Sequence, residues 1–217
     1  NIGGLMTSGP EDAIYDSFLE KTITTPSHSK ARAFGYSLAN SVIDAFNENT
    51  FEPSPDPTIT FSALEVELGI ENFMLSLGTL LGVVDSSPKF HLTPPFIRYL
   101  SEVAFIQLGD ATITGIPGEL YPEIAVGGIE SPKGADFAIE PQEVPPLRGQ
   151  LPGKLNLMVN LANDAIGYII PKSEWDKDAP WIYDEAEETY GEVVSLGPNT
   201  APIIHQTVIK LAEESKP

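Results

Sequence analysis

Val103-Ala104-Phe105-Ile106-Gln107-Leu108-Gly109-Asp110-Ala111-Thr112-Ile113-Thr114-Gly115-Ile116 is the stretch on which the fold class turns. The first six residues form a compact apolar run, and the last six mix apolar residues with Thr. Gly109-Asp110 between them has the chemistry of a tight turn, so two strands joined as a hairpin are expected. The chain continues into Pro117-Gly118-Glu119. Pro lacks a backbone donor and Gly weakens pairing, so the second strand ends here and holds the Glu119 carboxylate at a strand end, where ligand-binding groups collect.

Upstream of the hairpin, residues 58–68 set Ile59, Phe61, Ala63 and Leu64 in imperfect alternation with Thr60, Ser62 and Glu65. This predicts a strand, paired antiparallel, with its apolar face buried. Glu52-Pro53-Ser54-Pro55-Asp56-Pro57 forces an extended connection, because each Pro fixes φ and biases its predecessor away from the helical region. Before it, Phe34, Leu38, Val42, Ala45 and Phe46 recur at helical spacing, which predicts an amphipathic helix over 30–47 with Ser29 as its N-cap. Residues 1–26 are rich in turn formers and read as loop. Residues 71–83 fit either a short helix or a buried irregular segment, since Gly78 and Gly82 interrupt the pattern.

Downstream, the Pro- and Gly-rich residues 127–153 predict a long surface loop. Residues 155–161 predict a further buried strand, and residues 201–214 a helix with Pro202 in its first turn and Ile204, Val208 and Leu211 on one face. The sequence contains no internal repeat and no stretch that reads as an interdomain linker. These elements together predict an α+β layered domain with a mixed or antiparallel sheet and flanking helices.

With 217 residues, 41% of them hydrophobic, the chain can build one sizeable core or two small ones. No apolar run is long enough to cross a membrane. Thirty-one acidic against 12 basic residues give a net charge of -19, which repels nucleic acid and anionic lipid surfaces. Such acidity fits a solvated surface, as in proteins of salty or extracellular settings. An extracellular or periplasmic location is compatible with it but is not fixed by it. The absence of Cys excludes disulfides, thiolate nucleophiles and sulfur-ligated zinc. The chain opens at Asn1 with no initiator Met, so further polypeptide upstream is expected.

On residue chemistry alone, the candidate positions are Glu119 and a second strand end that carries Asn163, Asp164 and Tyr168. Asn163 and Asp164 also fit the role of turn residues that accept backbone hydrogen bonds, and a Tyr at a sheet end is commonly a half-buried packing residue. His28, His91 and His205 form no paired metal-ligand motif. His205 reads as a packed helix residue, and His28 and His91 as surface loop residues.

Several segments, in the right order, resemble the neutral/alkaline non-lysosomal ceramidase family. Ile113-Thr114-Gly115-Ile116-Pro117-Gly118-Glu119 resembles its Ile-Pro-Gly-Glu segment, and Leu161-Ala162-Asn163-Asp164-Ala165-Ile166-Gly167-Tyr168-Ile169 resembles its Asn-to-Tyr motif. Tyr183-Asp184-Glu185-Ala186-Glu187-Glu188-Thr189-Tyr190-Gly191 is similar to its Tyr-Glu to Tyr-Gly segment. Asn1-Ile2-Gly3-Gly4 resembles the turn that follows its nucleophile-bearing region. The resemblance spans nearly the whole chain but only the later half of the family's catalytic domain. Residues 1–217 are therefore expected to be the C-terminal portion of a larger hydrolase domain.

The resemblance implies zinc-dependent hydrolysis of an amide, with ceramide-like N-acyl compounds as substrates. It places metal ligands at Glu119 and Tyr168 and an oxyanion donor at Tyr183, and it puts two zinc-binding His residues and the catalytic Ser upstream of residue 1. The isolated fragment is accordingly expected to be inactive, with the upstream portion of the same protein as its partner. Residues 141–152 lengthen the spacing between the Glu and Tyr motifs, which bears on substrate choice. Two alternatives stay open: a non-catalytic acidic binding module that has lost the metal, and a related hydrolase acting on a different amide or ester.

Overall fold

A computed structural model describes residues 13–49, 58–84, 88–137 and 139–215. The Pro-rich stretch 52–57 and the Asn1 to Gly4 segment lie outside them. The chain falls into two compact units, Gly3–Pro55 and a larger unit that includes Asp56–Pro217.

In the smaller unit, β1 (Ile14–Asp16) and β2 (Lys21–Ile23) form an antiparallel hairpin that leads to α1 (His28–Glu48). The buried Asp16 carboxylate organises it, accepting the Phe18 and Leu19 backbone N–H groups at 2.9 and 3.1 Å and the Arg32 guanidinium of α1 at 2.6 Å. The N-cap of α1 is Ser27, two residues before the expected Ser29; its Oγ accepts the Lys30 N–H at 3.1 Å. Ser27 is the last residue with extended backbone, the conformation that a capping side chain needs. A Ser27→Ala substitution is expected to cost about 1 kcal/mol, seen as faster amide exchange in the first turn of α1. The expected apolar stripe is present but uncovered: Phe34, Leu38, Val42 and Phe46 are all exposed.

The larger unit starts with β3 (Ile59–Gly69) and α2 (Phe73–Leu80), which settles the undecided 71–83 segment as a helix; the Asn72 side chain caps it by accepting the Leu75 N–H at 3.1 Å. Next come β4 (Lys89–Phe90), β5 (Ile97–Leu108), β6 (Ala111–Ile116), β7 (Glu119–Leu120) and α3 (Pro122–Val126). The chain ends with β8 (Leu155–Asn160), β9 (Tyr168–Ile169), α4 (Tyr190–Val193) and α5 (Thr200–Glu214). The expected hairpin is β5 and β6, with Gly109 in the left-handed region at φ 56°. The main sheet runs β3-β5-β6-β8, and β4 also pairs with β5. Its pairs are antiparallel except for the parallel β6 and β8. The fold is thus α+β, layered, with a mixed sheet.

One face of the sheet carries Leu64, Val66, Leu68, Val103, Phe105 and Ile116, and it packs against Ile204, Val208 and Leu211 of α5. Each of those helix residues contributes roughly 1.5–3 kcal/mol by leaving water. The other face is equally apolar. Phe61, Ile106, Ile113 and Leu157 are register partners across all four strands, and the row of Ile59, Leu108, Ala111 and Leu155 lies beside them. Ile59, Phe61, Leu108, Leu155 and Leu157 on this face are exposed, with Phe61 at 67%. The face expected to be buried, that of Ile59 and Phe61, is therefore the open one. A strand with apolar residues on both faces gives a periodicity signal that cannot choose between them.

Residues 127–153 are a crossover between β6 and β8, not the expected surface loop, for they bury Ala135, Glu143, Leu147 and Leu151. Leu147 and Leu151 insert into the main core. His205 is packed as expected, with Nε2 2.9 Å from the Pro145 carbonyl oxygen. Among the described residues no helix is long and apolar enough to cross a membrane.

Candidate functional site

Glu119 and Tyr168 lie far apart in sequence and are direct partners in the structure. The short strands β7 and β9 pair in parallel, with Glu119 opposite Tyr168 and Leu120 opposite Ile169. Residues paired across a ladder project to the same side of the sheet, so the carboxylate and the phenol share a face. The Glu119 N–H donates to the Gly167 carbonyl at 2.9 Å, and the Tyr121 N–H to the Ile169 carbonyl at 3.1 Å. Below this pair, Leu161 and Ile166 donate to the Gly118 and Pro117 carbonyls at 3.1 and 2.9 Å.

The Gly that precedes each candidate makes the close approach possible. A Cβ on Gly118 would sit 2.5 Å from the Gly167 carbonyl oxygen. Gly167 itself has φ +90°, a backbone that side chains rarely adopt. The Pro117-Gly118 and Gly167-Tyr168 sequences thus serve first as packing devices, and their geometry sets the two side chains next to one another.

Tyr168 is only 3% exposed and sits between two other rings, with edge contacts to Tyr121 at 6.1 Å and Tyr190 at 5.9 Å. Edge-to-face pairs of this kind are favourable because a ring's positive rim meets a negative face. Gly191 keeps room for Tyr121, since a Cβ there would lie 2.5 Å from the Tyr121 hydroxyl. Burial pushes the Tyr121 phenol well above its ordinary range, and the neighbouring Glu192 carboxylate adds to the effect. Tyr121 therefore stays protonated.

No protein-family model and no curated protein matches this chain.

Tyr183 stands apart from the Glu119 and Tyr168 pair in its bonding. Its hydroxyl donates to Glu130 Oε2 at 3.1 Å, and the residue is 60% exposed. Desolvation, and then the hydrogen bond to Glu130, push its phenol up to about 12. Tyr183 and Asp184 hold φ of 56° and 57°, left-handed values that cost non-glycine residues of order 1 kcal/mol each. Asn163 and Asp164 act as turn residues, as expected. Asn163 has φ 71°, and the Asp164 carboxylate accepts from the Ala165 N–H, Tyr99 and Ser101 at 2.8–3.0 Å.

The residues that sequence reasoning missed are acidic. Glu174 Oε1 accepts the Glu130 N–H at 2.8 Å, while Ser173 donates to the Glu130 carbonyl at 2.6 Å, which clasps the segment that carries the acceptor for Tyr183. Burial raises the Glu174 carboxyl to about 7, and it raises Glu192 to about 7 as well. Glu123 and Glu174 act on both Tyr121 and Tyr183, so these two phenols lie in one negative field. Tyr121 could have been found from its place two residues after Glu119. Glu174 lies among Pro, Ser and Trp and Glu192 beside Tyr and Gly, with no periodicity to announce either.

Proposed function

We propose that this chain is the later part of a zinc-dependent amidohydrolase, with ceramide-like N-acyl compounds as the substrate class. The observation that carries the reading is the in-register pairing of Glu119 and Tyr168 on one face of a small parallel sheet. A carboxylate and a phenol oxygen side by side suit half of a tetrahedral zinc shell. The other half, two imidazoles, comes in this proposal from polypeptide upstream of residue 1. Bound zinc would act there as a Lewis acid toward the scissile carbonyl and water.

The remaining work falls to the chain's own residues. Tyr183, kept protonated, is a hydrogen-bond donor at any neutral pH, and a developing oxyanion would replace the Glu130 carboxylate as its acceptor. A donor fixed in advance at such a point is worth about 3 kcal/mol of barrier, and the strained backbone at Tyr183 and Asp184 is consistent with a side chain held where function needs it. The open apolar sheet face supports the same view: a sheet with two apolar faces needs a layer on each. The upstream portion of the protein is the proposed cover.

In full-length protein, Glu119→Gln and Tyr168→Phe are each expected to remove bound zinc, read as metal per chain by mass spectrometry. Zinc content unchanged in both variants would sink the assignment. A second reading, an acidic binding module that keeps the fold without the metal, is favoured by one observation: Tyr168 is only 3% exposed and its ring is packed between those of Tyr121 and Tyr190. Full-length protein that purifies without zinc and takes up none would decide for it.

A further inference from the structure

Residues 72–84 and 90–97 contain no Asp, Glu, Lys or Arg, in a chain of which 20% of residues are charged. The first stretch holds α2 and the turn after it, where Phe73, Met74, Leu77, Leu80, Leu81 and Val83 are all exposed. Thr79 alone is buried in α2, and Leu75 packs on the core. The second stretch joins β4 to β5 through a turn closed by the His91 N–H, which donates to the Phe96 carbonyl at 2.8 Å. It exposes Phe90, Leu92 and Phe96, with Leu92 at 99%. The two stretches meet, because Ser76 of α2 and Pro94, Pro95 and Phe96 line one groove of about 590 Å³, shared with Ile70 and Ile97. Two apolar segments therefore project into solvent side by side, where β3 finishes and β5 begins.

A contiguous apolar patch of this kind marks a protein or a membrane partner, and hydrogen-bonding chemistry chooses between them. Protein interfaces carry a polar rim and about one hydrogen bond per 100–200 Å². Here the polar side chains that could supply such bonds are engaged within the fold. Asn72 caps α2 and donates to the Val193 carbonyl at 2.9 Å, Ser76 donates to the Ile70 carbonyl at 3.1 Å, and His91 lies 3.4 Å from the Glu67 carboxylate. Lipid tails ask for no such bonds. The net charge of -19 sets the headgroup, since an anionic surface repels the chain and a zwitterionic one does not. With 8 residues α2 is too short to span a bilayer, so the contact is shallow insertion at the interface. The patch also runs on toward the candidate site: Phe73 and Met74 share a cavity with Trp175 and Val193, and Trp175 packs against Tyr168.

We propose that α2 and the turn at 90–96 form a docking surface for a zwitterionic lipid bilayer, with their exposed apolar side chains inserted below the headgroups. The proposed hydrolase then takes a lipid-like amide directly from the bilayer, along the apolar path from Phe73 to Trp175. That last step rests on the zinc reading of Glu119 and Tyr168. Binding to the bilayer does not need zinc.

The test is sedimentation of full-length protein with sucrose-loaded phosphatidylcholine vesicles at physiological salt, with zinc per chain measured on the same preparation. The parent is expected to partition onto the vesicles, and Leu81→Ser combined with Leu92→Ser to lower the partition coefficient at least about tenfold. Both positions are exposed, so the double variant should keep the parent's fold, which its urea midpoint checks. No binding of the parent, an unchanged partition coefficient in the folded double variant, or binding that requires phosphatidylserine overturns the proposal. So does an environment-sensitive fluorophore on Leu81→Cys that is already shielded from water before vesicles are added, for a protein layer then covers the patch. Bilayer binding without zinc leaves the docking surface standing and removes the amidohydrolase reading; zinc without bilayer binding does the reverse.

Discussion

Gly167→Ala is expected to lose at least about 3 kcal/mol of folding stability, measured by urea denaturation, and to disrupt the Glu119 and Tyr168 pair with it. Two separate costs add. The backbone at φ +90° lies outside what Ala adopts without strain. In addition, the new Cβ would lie far inside van der Waals contact of the Val194 carbonyl oxygen, with the Val194 carbonyl carbon 3.1 Å away. Both are backbone atoms, so no rotamer change relieves the clash. Relief requires moving either the 194–195 segment or β9, and β9 cannot move alone because the Gly167 carbonyl holds the Glu119 N–H. Gly149→Ala is the control, since a Cβ there meets nothing within 4 Å and its φ is ordinary. That variant should fall within about 1 kcal/mol of the parent, on the stabilising side. A Gly167→Ala protein as stable as Gly149→Ala would mean that the strand pair is not held as described.

How much of this was legible in the sequence depended on range. The β5 and β6 hairpin was readable because its information is local: two apolar runs and a Gly-Asp turn fix the register without reference to anything distant. The start of α1 was misplaced by two residues because Ser27 and Ser29 are chemically equal as caps, and only backbone conformation chooses between them. For β3 the existence and direction were right and the buried face was wrong, because Ile59 and Phe61 on one side are as apolar as Val66 and Leu68 on the other. Residues 127–153 looked like a surface loop since Pro and Gly hide the apolar positions that matter, Leu147 and Leu151, inside a non-periodic background.

The candidate site was legible only in part, for a similar reason. Glu119 was marked by the strand-ending Pro-Gly, a local signal, and Tyr168 by the Asn-Asp turn before it. Their adjacency is a tertiary fact that arises from a parallel pairing of two-residue strands, and no local pattern encodes such a pairing. The register of β7 and β9 sets the two residues opposite one another. Tyr183 was singled out by the family resemblance, yet its bond to Glu130 depends on where an irregular crossover folds back. The buried acids Asp176, Glu174 and Glu192 were invisible, because composition assigned the chain's acidity to solvent.

Those buried acids lead to the second large effect. Stability of the larger unit is expected to fall as pH rises from about 4.5 to 7, and Glu174→Gln with Glu192→Gln should flatten that fall. Both carboxyls have a model-peptide value of 4.5 and are raised to about 7 in the folded chain, in each case chiefly by burial. Between those limits the unfolded chain releases the protons while the native chain keeps them. The native state then binds more protons than the unfolded one, so the stability slope with pH is negative through this window and levels off above it. Each group is expected to contribute on the order of 1 to 2 kcal/mol after allowance for nearby solvent. Glu67 works in the opposite sense and in a different window: the hydrogen bond from Lys89 lowers its carboxyl, so its contribution is present at neutral pH and is lost below the ordinary carboxylate range. The difference between parent and double variant in urea denaturation at pH 5 and pH 8 therefore isolates the raised pair. The parent protein should be more stable at pH 5, and the double variant should show little difference between the two. A double variant with the same pH dependence as the parent would mean that Glu174 and Glu192 ionise without penalty, and so that water reaches them in the folded protein.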